Sequence, residues 1–148
     1  MKELKEVKLS LKVNAHPEDV WQAWTETTKV SQWFSPEANI EPRLGGAYEL
    51  FWDPTNHESM STKGCKIIKY EQGRLLTFTW KGPDQYADIM NHPSKLTRVE
   101  VSLQGCRDAT EVTIVHDGWG EGEGWAEARA WHEKAWDGVA KSLQAQFE

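Results

Sequence analysis

Polar and apolar residues alternate strictly over Val7-Lys8-Leu9-Ser10-Leu11-Lys12-Val13, which predicts a half-buried antiparallel strand with Val7, Leu9, Leu11 and Val13 inward. The period then lengthens. Pro17 suits the first turn of a helix, and Val20, Trp21 and Trp24 follow on one side of it. A second short helix is expected from about Thr28 to Phe34, with Val30, Trp33 and Phe34 inward. It stops before Pro36, because the residue preceding proline is pushed out of the helical region.

After the turn around Pro42 to Gly46 the period returns to two. Ala47 to Trp52 sets Tyr48, Leu50 and Trp52 on one face, and Asp53-Pro54-Thr55-Asn56 is turn chemistry. A strand from about Ser61 to Tyr70 contains Ile67 and Ile68, which share a face only through a bulge. Leu75 to Trp80 aligns Leu76, Phe78 and Trp80. Leu96 to Leu103 and Ala109 to His116 follow, with Val99, Val101 and Leu103, then Val112, Ile114 and His116, inward; Gly105 to Asp108 joins them as a hairpin. The run reads as one meandering antiparallel sheet of about seven strands.

The last segment differs in kind. From about Gly124 to Phe147 there is no proline, and Trp125, Ala128, His132, Trp136, Val139, Leu143 and Phe147 recur at three- and four-residue spacing. At about 1.5 Å per residue such a helix is roughly 35 Å long, enough to cross a small sheet. Its aromatic stripe demands a cover.

Nine tryptophans in 148 residues sharpen that demand: the chain fills an unusually bulky core or walls an apolar cavity. The length fits one domain, 1–148. Cys65 and Cys106 lack CxxC spacing, so free thiols in a reducing compartment are expected. The opening Met1-Lys2-Glu3-Leu4-Lys5-Glu6 is charged where a signal peptide is apolar, and no run approaches the ~18 apolar residues of a membrane span. A cytoplasmic, soluble protein follows as the expectation. With a net charge of −6 and scattered basic residues, a nucleic-acid-binding face is not expected.

Chemistry-bearing residues are few. His116 ends a strand and His132 lies on the apolar helix face, so each is either a general base or a satisfied core histidine. Glu49 or Glu100 would turn inward only on a register slip of one residue. His16, His57 and His92 read as solvated and have no partners at metal-ligand spacing, and no HExxH or GxSxG is present. No catalytic residue, metal or cofactor is assigned. Trp119-Gly120-Glu121-Gly122-Glu123-Gly124-Trp125 is rich in glycine, but its glutamates would repel a phosphate. It reads as a flexible hinge before the long helix.

Val20-Trp21-Gln22-Ala23-Trp24, Trp33-Phe34-Ser35-Pro36, Gly45-Gly46-Ala47-Tyr48, Arg74 to Trp80, Thr110 to Trp119 and the Trp136 to Leu143 helix occur in that order. Together they resemble the domain family named after the activator of the heat shock protein 90 ATPase, a branch of the START-like (SRPBCC, helix-grip) superfamily. The resemblance covers nearly the whole chain. It implies an α+β fold in which a curved antiparallel sheet, with two short helices after its first strand, wraps a long C-terminal helix and leaves a cavity. Two departures stand out. The Gly82 to Lys95 connection is long for a hairpin and carries Tyr86, Ile89 and Met90, so it is a lid candidate or an ordinary surface excursion. The second is the glycine-rich junction.

Three functional expectations follow. In the first, a small apolar or aromatic molecule occupies a void of a few hundred Å³. Its walls are drawn from Trp33, Tyr48, Leu50, Phe78, Trp80, Val99, Val101, His116, Trp119, Trp125, His132 and Trp136. Here His116, His132 or the Tyr48 hydroxyl orients the ligand. In the second, implied by the family's name, the domain contacts a chaperone and the aromatics are chiefly core. The third, a cyclase or hydrolase in the same cavity, rests on the two histidines alone. A monomer or a homodimer suits each of them.

Overall fold

The structure, a computed structural model, describes residues 6–148. The charged opening, residues 1–5, lies outside them. Strand β1 (Val7–Val13) leads into helices α1 (Pro17–Thr25) and α2 (Thr27–Val30), then strands β2 (Glu37–Ile40) and β3 (Tyr48–Phe51). Strands β4 (Ile67–Glu71) and β5 (Leu75–Trp80) precede a 3-10 turn (Asp84–Tyr86) and α3 (Ala87–Met90). The chain ends with β6 (Thr97–Cys106), β7 (Ala109–Asp117) and the long helix α4 (Glu123–Ala145).

The strands divide into two sheets rather than one meander. Five form an antiparallel sheet in the order β1-β7-β6-β5-β4, while β2 and β3 pair separately. Two isolated bridges, Ala47 to Lys66 and Phe51 to Ser61, tie the β2–β3 region to the segment that leads into β4. The expected strand from Ser61 begins only at Ile67, because Met60 and Gly64 take left-handed backbone (φ 49° and 88°) that breaks extended pairing. The register shifts between Ile67 and Lys69, burying Ile67 and leaving Ile68 42% exposed. β2 went unanticipated. Of its four residues only Ile40 is buried.

Alternation explains the inner face. Leu76, Phe78 and Trp80 on β5, Val99, Val101 and Leu103 on β6, and Val112, Ile114 and His116 on β7 are all buried. β1 closes the edge, Val7 opposite His116 and Val13 opposite Thr110. Helix α1 starts on Pro17 with Glu18 and Asp19 in its first turn, where acidic groups complement the helix dipole. Helical bonding continues past α2, Phe34 N–H donating to the Val30 carbonyl, and stops before Pro36.

Helix α4 runs for about 35 Å along the sheet and buries Ala128, His132, Trp136, Ala140 and Leu143. This is the helix-grip architecture. The glycine-rich junction lets the Trp125 indole approach the backbone closely: a Cβ on Gly120 would stand 2.6 Å from it. Gly122, at φ 113°, sets the direction in which the helix begins.

Candidate functional site

The inner end of β7 and the middle of α4 bring His116 and His132 together, with ring centroids 5.1 Å apart. An indole N–H only donates, so the 3.0 Å bond from Trp136 Nε1 makes His116 Nδ1 an acceptor. Its proton therefore sits on Nε2 and is donated to Thr97 Oγ1 at 2.8 Å. The same logic inverts for His132. Its Nδ1 lies 2.7 Å from the Ala128 carbonyl, which only accepts, so Nδ1 carries the proton. Nε2 is left as an acceptor and receives Trp80 Nε1–H at 3.2 Å.

Both imidazoles are neutral in this arrangement. Burial, reinforced by the neighbouring His132, holds His116 well below the usual imidazole range. Burial also lowers His132 to about 4, against the opposing pull of the Ala128 carbonyl. Neither ring keeps an uncommitted basic lone pair, so general-base chemistry has no ready group here.

Beside His132 lies an apolar cavity of about 150 Å³. Phe34, Trp52, Trp80, Trp131, Trp136 and Val139 form most of its wall, with Ala135 at the helix side and Met60, Ser61, Lys81, Gly82 and Pro83 at the rim. This is smaller than the expected few hundred Å³. Three of its wall rings are in mutual contact: Phe34 meets Trp80 at 6.1 Å and Trp136 at 5.8 Å, and Trp80 meets Trp136 at 5.4 Å.

The 82–95 connection forms part of the rim and is tied at both ends. Asn91 exchanges two hydrogen bonds with Gly82: its Oδ1 accepts from Gly82 N at 2.8 Å, and its Nδ2 donates to the Gly82 carbonyl at 3.2 Å. Met90 is fully buried against Gly82. Across the mouth, Asp84 accepts from the Met60 amide (2.9 Å) and the Ser59 hydroxyl (2.5 Å), and these bonds hold its carboxyl below the usual range. Tyr86 meets the wall residue Trp131 edge-on at 6.3 Å.

Of the twelve residues expected to wall a void, Trp80, His132 and Trp136 line this one. The other nine pack elsewhere. Tyr48 stacks on Phe78 at 3.9 Å and donates its hydroxyl to the Trp24 carbonyl at 2.7 Å, so that hydroxyl is spent inside the core. Trp33 donates to the Ala23 carbonyl and Trp119 to the His116 carbonyl, each at 2.8 Å. Leu50, Val99 and Val101 are core residues, His116 sits behind Trp136, and Trp125 covers Gly120. Trp24 Nε1 is the only fully buried side-chain polar atom without a hydrogen-bond partner among the described residues. Its ring meets Trp33 and Phe34 edge-on.

The carboxylates Glu49 and Glu100 stay off the inner face. Glu49 accepts from Asn39 and the Gly64 amide, and Glu100 from Thr77. His57 is not simply solvated: it stacks on Phe51 at 4.1 Å and pairs with Glu37. Sequence reasoning missed Phe34, Trp52, Met60, Trp131 and Val139 as lining residues. Trp131 is one position off the buried stripe of α4, and Trp52 and Met60 lie beyond the end of β3.

The model of a family described as "Activator of Hsp90 ATPase homolog 1-like protein" matches residues 14–148. No curated protein matches the sequence. Among solved structures, the solution structure of the Aha1 dimer from Colwellia psychrerythraea is similar at 18% identity, covering 98% of this chain and 97% of that one, with a TM-score of 0.75. A Bacillus halodurans protein is similar at 22% identity over the whole of both chains, with a TM-score of 0.74. A Mesorhizobium loti protein is similar at 16% identity over 95% of each, with a TM-score of 0.73. At these identities the likeness is one of fold. Among the described residues no helix is long and apolar enough to cross a membrane.

Proposed function

The chain belongs to the family of activator of Hsp90 ATPase homolog 1-like proteins, and from that premise we propose that it binds a small apolar or aromatic molecule between the sheet and α4. The observation that carries this reading is the 150 Å³ cavity, walled by indole, phenyl and valine side chains and opening beside a tied-down loop. A volume of that order accommodates one benzene-sized ring. Burying about 150 Å² of apolar ligand surface contributes roughly 4 kcal/mol before association costs, so binding is expected to be weak, millimolar or poorer. The 82–95 segment acts as the lid, latched through Asp84. The two free thiols, Cys65 buried and Cys106 exposed, fit a reducing, cytoplasmic setting.

Titration of single-ring compounds to about 10 mM, followed by tryptophan emission, tests the reading. Saturable quenching is expected, and Ala135→Trp, which fills the cavity from the helix side, should abolish it. A flat response in the folded wild-type protein contradicts it.

One observation favours a second reading, a chaperone-directed interaction module, as a monomer or a homodimer. Trp131 is 38% exposed beside the half-buried Tyr86, an aromatic pair at the surface of a family named for chaperone activation. Loss of chaperone ATPase stimulation in Trp131→Ala, with no ligand response in the wild type, would favour that role. A hydrolase or cyclase is disfavoured because both histidine lone pairs already receive indole N–H groups.

A further inference from the structure

The cavity's hydrogen-bonding polarity restricts what enters it, an inference that rests on the ligand-binding reading above. Four donors at its wall and rim are committed within the protein. Trp52 Nε1 donates to the Phe34 carbonyl at 3.2 Å, Trp136 Nε1 to His116 at 3.0 Å, the Gly82 amide to Asn91 at 2.8 Å and the Ser61 hydroxyl to the His57 carbonyl at 2.7 Å.

His132 adds accepting capacity to this wall. The 2.7 Å bond from His132 Nδ1 to the Ala128 carbonyl fixes the tautomer, so Nε2 on the cavity wall can only accept. The bond it now receives from Trp80, at 3.2 Å, is at the long end of the normal range. A ligand group that takes this lone pair must be a donor. It must also satisfy the indole N–H it displaces, because a buried donor left unpaired is costly. A hydroxyl does both: its proton goes to His132 Nε2 and its oxygen accepts Trp80 Nε1–H. An ether or carbonyl oxygen can only accept, and a carboxylate brings a charge into an apolar wall.

We infer that the cavity selects a neutral, hydroxyl-bearing single ring of the phenol class, with the hydroxyl inserted between Trp80 Nε1 and His132 Nε2. Trp80 and His132 are then the specificity-determining pair, and the surrounding rings supply affinity without discrimination.

The test compares phenol, anisole and benzoate on the wild-type protein and on His132→Leu, by calorimetry or ligand-observed NMR. In the wild type phenol should bind about tenfold more tightly than anisole, with benzoate weakest, the ratio one made or lost hydrogen bond gives. In His132→Leu the phenol preference should fall to about one while anisole still binds. Should that variant not fold, the wild-type ¹⁵N spectrum decides: the His132 Nε2 and Trp80 indole resonances should move with phenol and stay put with anisole. Equal binding of phenol and anisole overturns the polarity inference and leaves the cavity reading intact. Tightest binding by benzoate assigns recognition to the Lys81 ammonium and also overturns it. Binding of none of the three overturns both readings.

Discussion

Acidification sets protons against two buried neutral histidines, and His132 gives the effect a size. Its folded-state pKa of about 4 lies below its unfolded value near 6.5, so between those limits the unfolded chain binds the extra proton. The stabilisation is complete above pH 6.5 and is lost as pH falls toward 4. Across that whole span the loss attributable to His132 is about 3 kcal/mol, and about 2 kcal/mol of it is gone by pH 5. His116, shifted in the same direction, adds to the loss. The carboxylates held low by hydrogen bonds and ion pairs, Glu41, Asp53, Glu58 and Asp84, lose their contribution only as pH falls through their own depressed values. The interval from pH 7 to 5 therefore isolates the histidines. Urea unfolding followed by far-UV circular dichroism should show stability falling by at least about 2 kcal/mol over that interval, and His132→Gln should remove about that much of the pH dependence. Unchanged wild-type stability between pH 7 and 5, or an NMR titration placing folded His132 near 6.5, refutes the reasoning.

Two further outcomes are expected. Trp136→Phe keeps an aromatic ring but deletes the N–H held by His116 Nδ1 at 3.0 Å; it should cost about 1–3 kcal/mol in denaturant unfolding, and a cost near zero contradicts the tautomer assignment. Cys106 is exposed while Cys65 is buried with its thiol pushed up to about 11, so a disulfide-exchange reagent should modify one thiol promptly in the native protein and both in denaturant.

The large sheet and the long helix were legible in the sequence because one buried face imposes a single period on each. β1, β5, β6 and β7 alternate, and α4 repeats at three and four residues, so their inner residues could be named in advance. β2 was not legible. Its residues Glu37-Ala38-Asn39-Ile40 bury one side chain and pair only with β3, so no alternation marks them.

The candidate site was less readable for the same reason. Its walls combine the stripe residues Trp80, His132 and Trp136 with Trp52, Met60, Pro83 and Trp131, which come from the end of β3, two loops and the edge of α4. No one-dimensional period connects these. The histidines' roles were equally hidden, since Trp136 lies 20 residues from His116 and Trp80 lies 52 from His132 in the chain. Tyr48 shows how a side chain's partner stays hidden even where its face is legible. Its inward position was correct, but the Trp24 carbonyl captures its hydroxyl.

Mapping the indole N–H resonances of the folded protein while phenol is added tests the central claim most directly. Trp52, Trp80 and Trp136, which line the cavity, should shift saturably together. Trp24 and Trp33, which do not line it and pack against each other and Phe34, should hold still. Shifts confined to Trp24 and Trp33, or no shift at millimolar ligand, would contradict the claim that the space beside α4 is a binding cavity.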